Sequence, residues 1–233
     1  MAIQNEVVDS SQNFRLYAKN ALNSCVIRQM TTCALRSNER NDIIFAKETC
    51  LQLLQVNSDG ILTSLLEQHV FGTIKDMKLL RCSFTRESNT SESEKSTKSS
   101  YSKLPHLPGK IPGDDVLVFL SDSGVLSFVS YEELELGRGK FSIVKELYLA
   151  PPGLGHKNLG RLLCVDPLSR ALAVASWQDS VKLYILNQHQ SRENFEPVKE
   201  EKLIEIKGII WNMAFLYPAA NEKERLLLAL VVV

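Results

Sequence analysis

An all-β fold built from short antiparallel meanders is what this 233-residue chain predicts, on three observations. Apolar runs of strand length recur along it, and residues 115–131 and 160–186 are the clearest trains of such runs. The breaks between runs carry the residues that close hairpins: Asn57-Ser58-Asp59-Gly60, Asp122-Ser123-Gly124, Asp166-Pro167-Leu168-Ser169 and Gln178-Asp179-Ser180. The runs are also nearly continuous in Val, Leu, Ile and Phe, which suits strands covered on both faces better than strands with one face in water. A β-propeller meets all three conditions, because each twisted four-stranded blade is sandwiched between its neighbours.

Residues 1–23 are polar and weakly patterned and read as an N-terminal tail. Strands are predicted over residues 24–35, 43–46, 50–56 and 61–70, with the Asn57 to Gly60 turn supplying positive φ between the last two. These make a first blade. Residues 72–81 open a second, but its next convincing strand starts only at Val116. Between them lies a Ser/Glu/Lys tract over residues 86–103, with seven serines from Ser88 to Ser102, and then a Pro/Gly-bearing stretch to residue 113. Such a segment has too little apolar surface to offset its ordering entropy, so 86–113 is predicted to be a disordered loop inserted between two strands of one blade. Phosphorylation there would add charge to a segment already solvated. Strands resume over 116–121, 125–131 and 141–149, and a third blade runs from 160 to 206, with the polar stretch 187–199 leading to its outer strand. Residues 209–217 and 226–233 begin a fourth. The reading is thus an incomplete propeller of about three and a half blades over residues 24–233. Propellers close by pairing the last blade with the first, so the chain is expected to be the N-terminal part of a longer protein.

Composition narrows the function. Lys+Arg and Asp+Glu both number 27, so no net positive field draws a nucleic-acid backbone from a distance. Cys25, Cys33, Cys50, Cys82 and Cys164 form no CxxC pair and are expected to be small buried apolar residues in a reducing compartment, cytoplasm or nucleus. Residues 1–9 lack the features of a signal peptide, and no apolar run reaches membrane-spanning length. His69, His106, His156 and His189 stand apart from one another and from the cysteines, so no zinc-ligand pair is formed in sequence. Neither a G-x-S-x-G elbow nor an acidic calcium loop occurs.

Two glycine-rich stretches invite sharper readings. Leu136-Gly137-Arg138-Gly139-Lys140-Phe141-Ser142 resembles the start of a kinase Gly-rich loop, but Ser142 replaces the third glycine and no V-A-I-K, H-R-D or D-F-G motif follows. A turn running into a strand accounts for it. Residues 151–160 carry three glycines with His156 and Lys157 but lack the G-K-[ST] ending of a phosphate cradle, so they read as a loop on one rim of the propeller. If that loop binds anything, a protein is the expected partner, which makes His156 and Lys157 candidate contacts. Trp177, ending an apolar strand just before a turn, is the third candidate, whereas Trp211 is expected inside the core. No catalytic residue, cofactor-binding residue or metal ligand is nominated, and the chain is read as no enzyme.

Several of these stretches resemble a known family. The run from Arg40 to Val56 with Phe71 to Leu80, then Ser121-Asp122-Ser123-Gly124, Val165-Asp166-Pro167 and Lys182-Leu183-Tyr184-Ile185-Leu186, is similar to the first propeller of a nuclear scaffold family. Its members are the large subunit of the damage-specific DNA-binding protein, the largest subunit of the cleavage and polyadenylation specificity factor, and the triple-propeller subunit of the spliceosomal branch-site complex. The resemblance spans from about Cys25 to the end, with the Ser-rich insertion as a departure. It implies a seven-bladed propeller of which this chain holds roughly half, in a long chain of three propellers and a helical C-terminal region. It implies further a non-catalytic docking platform in the nucleus that joins protein subunits and needs neither cofactor, small-molecule substrate nor membrane. The second and third blades look closest to the spliceosomal member, which favours RNA processing. Direct binding of RNA or DNA, and a ubiquitin-ligase adaptor role in DNA repair, are the alternatives.

Overall fold

The computed structural model describes residues 26–36, 42–84, 115–134, 139–149, 162–177, 180–190, 194–217 and 225–233. Within them all regular structure is β. β1 (Ile27–Cys33), β2 (Asp42–Lys47), β3 (Cys50–Val56) and β4 (Leu62–His69) pair in sequence order as one antiparallel sheet. β5 (Ile74–Arg81) is followed by the short β6 (Ser83–Phe84) and by β7 (Asp115–Ser121), β8 (Val125–Glu133) and β9 (Gly139–Tyr148), and the second sheet has the order β5-β7-β8-β9. β10 (Leu162–Val165), β11 (Ala171–Trp177), β12 (Ser180–Leu186), β13 (His189–Gln190) and β14 (Val198–Glu205) give a third sheet, β10-β11-β12-β14. β15 (Ile210–Leu216) and β16 (Leu227–Val232) form a two-stranded sheet. The chain is an incomplete β-propeller, three full blades and the start of a fourth among the described residues, as the strand pattern predicts. The expected N-terminal tail, 1–23, and the expected insertion, 86–113, lie outside the described residues.

The first strands of successive sheets pack side by side, β1 with β5, β5 with β10 and β10 with β15, while among the fourth strands β4 approaches β9. The sheets therefore fan out from an axis lined by their first strands. Hydrophobic cores fill the seams. Ile44, Ala46, Leu51 and Leu53 of blade 1 meet Met77, Leu117, Phe119 and Phe141 of blade 2. On the opposite face of blade 2, Val116, Val118, Leu120 and Phe128 meet Leu172, Val174, Tyr184 and Phe195 of blade 3. Alternate residues of β7 thus enter two different cores, which is why Val116 to Leu120 is apolar without a break. Blade 3 is smaller on its far side, where Ala171, Ala173 and Ala175 make room for Ile210, Met213 and Phe215.

The seams between blades 1 and 2 and between blades 2 and 3 are also stitched by side chains that accept backbone N–H bonds across them. At seam 1–2, Met77 N donates to Gln29 Oε1 (2.8 Å) and Ala34 N to Asp115 Oδ2 (2.7 Å). At seam 2–3, Leu163 N donates to Asp76 Oδ2 (2.9 Å) and Arg81 N to Ser169 Oγ (2.9 Å). Gln29 and Asp76 belong to a repeat that the sequence reading passed over: Ile27-Arg28-Gln29-Met30, Ile74-Lys75-Asp76-Met77 and Ile210-Trp211-Asn212-Met213. In all three the pairing register shifts at the second residue, leaving one extra residue in the first strand. This bulge corrects the expectation for Trp211. Because Ile210 pairs with Val232 and Asn212 with Val231, Trp211 is the extra residue, turned away from the core that Met213 and Phe215 enter, and it is 63% exposed.

The cysteines largely follow expectation. Cys33, Cys50 and Cys164 are buried, Cys82 is half-buried, and Cys25 lies outside the described residues. Burial, ahead of nearby carboxylates, pushes the Cys33 thiol up to about 12, and burial likewise raises Cys164 to about 12. Both stay protonated at neutral pH and serve as packing groups.

Candidate partner-binding surface

Sheets whose strands alternate in direction send their second-to-third turns and their blade-to-blade connections to the same end. At that end, between blades 1 and 2, the backbone of residues 70–73 is fastened on both sides. Val70 N donates to Thr49 O (3.0 Å) and Ile74 N to Glu48 O (2.8 Å), both acceptors being in the β2–β3 turn. Toward blade 2, Thr73 N donates to Asp122 Oδ1 (2.7 Å) and Asp122 N to Thr73 O (3.0 Å). Gly72 takes φ +83° here, and a Cβ on it would stand 2.7 Å from Asp122 Oδ1, so glycine is needed on both counts. Burial by itself would raise the Asp122 carboxyl, but the bonds from Thr73 and the charge of Lys75, 3.7 Å away, outweigh it and hold that carboxyl below its ordinary value.

Phe71 rides on this fastened segment and is 87% exposed. Beside it a cleft of about 120 Å³ opens between the blades, with Val70, Phe119, Val125 and Ile143 as apolar walls and His69, Ser121, Ser123 and Glu146 among its polar groups. Gln68 closes the inner side, its Nε2 donating to Phe141 O (2.8 Å) while Phe141 N donates to its Oε1 (2.8 Å), so that β4 and β9 cannot splay. The hydroxyls of Ser121 and Ser123 bond each other. Apolar walls, a polar rim and an aromatic on a fixed backbone suit the capture of an apolar side chain at small entropic cost. Among the described residues no group of three or more His, Cys, Asp or Glu is placed to hold a metal ion.

Of the three residues singled out in the sequence, Trp177 ends β11 and pairs with Ser180 across the β11–β12 hairpin, and its side chain lies outside the described residues. His156 and Lys157 lie outside them altogether. Phe71 was missed. Its signal was a large aromatic placed directly before a glycine at a blade junction, where the chain must turn and cannot bury the side chain it has just passed.

A family model described as the RSE1/DDB1/CPSF1 first beta-propeller matches residues 26–233. The chain belongs to this family. The match starts one residue before β1 and takes in every blade, so the family resemblance read from the turns and strands holds over the whole fold. This first propeller is also similar to the pre-mRNA-splicing factor prp12 of Schizosaccharomyces pombe, with 22% identity over 182 residues that cover 78% of the chain. The same alignment covers 13% of prp12, so the chain spans a small part of that relative's length.

Proposed function

We propose that this first propeller is a non-catalytic docking scaffold for protein subunits of a nuclear complex that processes pre-mRNA, splicing in particular. The observation that carries this reading is the family match across residues 26–233 together with a relative that is a pre-mRNA-splicing factor. The surface between blades 1 and 2 supports it, since an exposed Phe71 on a fixed backbone beside an apolar cleft has the make-up of a protein contact. Direct nucleic-acid binding draws less support. Arg28 and Lys75, at equivalent bulges of β1 and β5, are matched by Glu48 at 2.9 Å and Asp122 at 3.7 Å, so these cations do not form an unopposed basic stripe.

Purification of the tagged full-length protein from its own cells tests the reading. After a wash at high salt, which strips nucleic acid by counterion competition, splicing subunits are expected in stoichiometric amounts. Polyadenylation subunits or a cullin ligase would move the protein to another branch of the family. A protein that elutes alone, or that loses all its partners with the nucleic acid, would contradict a protein scaffold.

A further inference from the structure

Every residue that lines the cleft beside Phe71 belongs to blade 1, to blade 2 or to the segment joining them, and both blades carry four strands. Its opening is therefore not the gap left by a neighbouring blade. β9 is held to β4 at Phe141 by the Gln68 clamp, yet two residues further along Ile143, which faces the same cleft, is 56% exposed. The space between the blades is about 120 Å³. An apolar cavity of about 150 Å³ takes a benzene ring, so this cleft suits the smaller aliphatic side chains of Leu, Ile or Met and is too small for Trp.

The charge at the rim is negative. Lys145 is held by Glu196 of blade 3 at 2.7 Å, Lys140 by Glu132 at 3.1 Å and Lys75 by Asp122 at 3.7 Å. Glu146 stands exposed at the cleft with no such partner among the described residues. It would repel the phosphates of a nucleic acid and attract a Lys or Arg. The main chain adds a third feature. Val70 N and Thr73 N are both bonded to protein groups, but among the described residues nothing bonds the backbone of Phe71 or Gly72. Open N–H and C=O groups on a fastened segment are what an extended peptide pairs with.

We propose that this cleft seats an extended segment of a partner protein, which places a Leu, Ile or Met between the blades and a Lys or Arg against Glu146. Both Ile143 and Glu146 line the one small space, so the basic residue follows or precedes the aliphatic one within about three residues, roughly 10 Å of extended chain. Seating the aliphatic group takes it and the cleft walls out of water, which supplies the attraction. Glu146 sets the direction of the segment and excludes polyanions. This inference rests on the scaffold reading above and adds the chemistry of one partner segment.

A library of random peptides displayed on phage and panned against the purified full-length protein tests it. Enriched sequences are expected to pair Leu, Ile or Met with a nearby Lys or Arg. A fluorescent peptide of the enriched sequence should bind Glu146→Lys at least about fivefold more weakly. A version of that peptide with glutamate in place of its basic residue should regain the loss on Glu146→Lys and not on the unaltered protein. Ile143→Asp, which puts a charge into the wall, should abolish binding, and both variants should melt where the unaltered protein does. Enrichment of sequences without the aliphatic and basic pair, or a charge exchange that fails to rescue, overturns the inference. A short RNA that displaces the peptide overturns it in favour of nucleic acid. Binding that appears only once residues 151–160 are replaced by a Gly/Ser linker overturns it in favour of the chain's own segment as occupant. A protein that purifies with its subunits yet enriches no peptide overturns it and leaves the scaffold reading standing. One that purifies without subunits sinks both.

Discussion

Replacing Phe128 by Ala is expected to destabilise the protein by about 3–5 kcal/mol. Phe128 lies in β8 with no surface in contact with water, and its ring meets Phe195 edge-on, centroids 6.1 Å apart at 62°. Truncation would lose the transfer free energy of the ring and the aromatic contact, and it would leave a cavity between two sheets whose backbones are fastened on both sides of the gap, so little collapse can fill it. The loss is a large part of the ~5–15 kcal/mol that a domain commonly has. Urea unfolding of the variant checks this: the midpoint should fall steeply at an unchanged slope. A cost below about 1 kcal/mol would mean that seam 2–3 is not close-packed.

The second large effect is expected at Asp166, in the β10–β11 turn. Its buried carboxylate accepts from Leu168 N (3.1 Å), Arg170 N (3.2 Å), Arg170 Nε (2.7 Å) and Arg170 Nη2 (2.9 Å). The same turn holds Ser169 at φ +54°, a costly backbone for a residue with a Cβ, and Ser169 Oγ is the group that accepts Arg81 N from blade 2. Asp166→Ala would strip the turn of its organiser, leave the Arg170 guanidinium without its anion and loosen a stitch of the seam, at a cost of about 3 kcal/mol. The pH dependence has a definite sign. Burial alone would raise the Asp166 carboxyl, but the hydrogen bonds and charge of Arg170, helped by Leu168 N–H, outweigh it and hold it below its ordinary value. A carboxyl depressed in the folded state stabilises fully above the unfolded pKa of about 3.9, and that stability is lost as pH falls through the lower folded value. The stability gap between the unaltered protein and Asp166→Ala should therefore stay constant from pH 7 to about pH 4 and narrow below it. A gap that persists unchanged at pH 2 would show that the carboxylate's charge plays no part.

The blades were legible because their signals are local. Turn residues at Gly60 and Gly124 sit where φ is positive, and the doubly apolar β7 follows directly from burial between two sheets. What lay hidden depends on pairing. Trp211 has the look of a core residue inside an apolar strand, and only the register of β15 against β16 reveals it as the extra residue of a bulge. The short parallel pairing of β6 with β13, His189 opposite Ser83, joins segments more than a hundred residues apart that carry no strand pattern. The exposed Phe71 was hidden for a similar reason. Its setting is completed by Asp122, which approaches Thr73 only once the second blade has formed against the first.

The central claim, that this propeller holds protein partners on the surface between its first two blades, is tested most directly by placing a photoreactive aromatic amino acid at Phe71. The exchange keeps an aromatic side chain at a position that is 87% exposed, so the fold should tolerate it. Irradiated within the assembled complex, the full-length protein is expected to form a single covalent adduct with one protein subunit. An adduct with RNA alone, or none in an assembled complex, would contradict the claim.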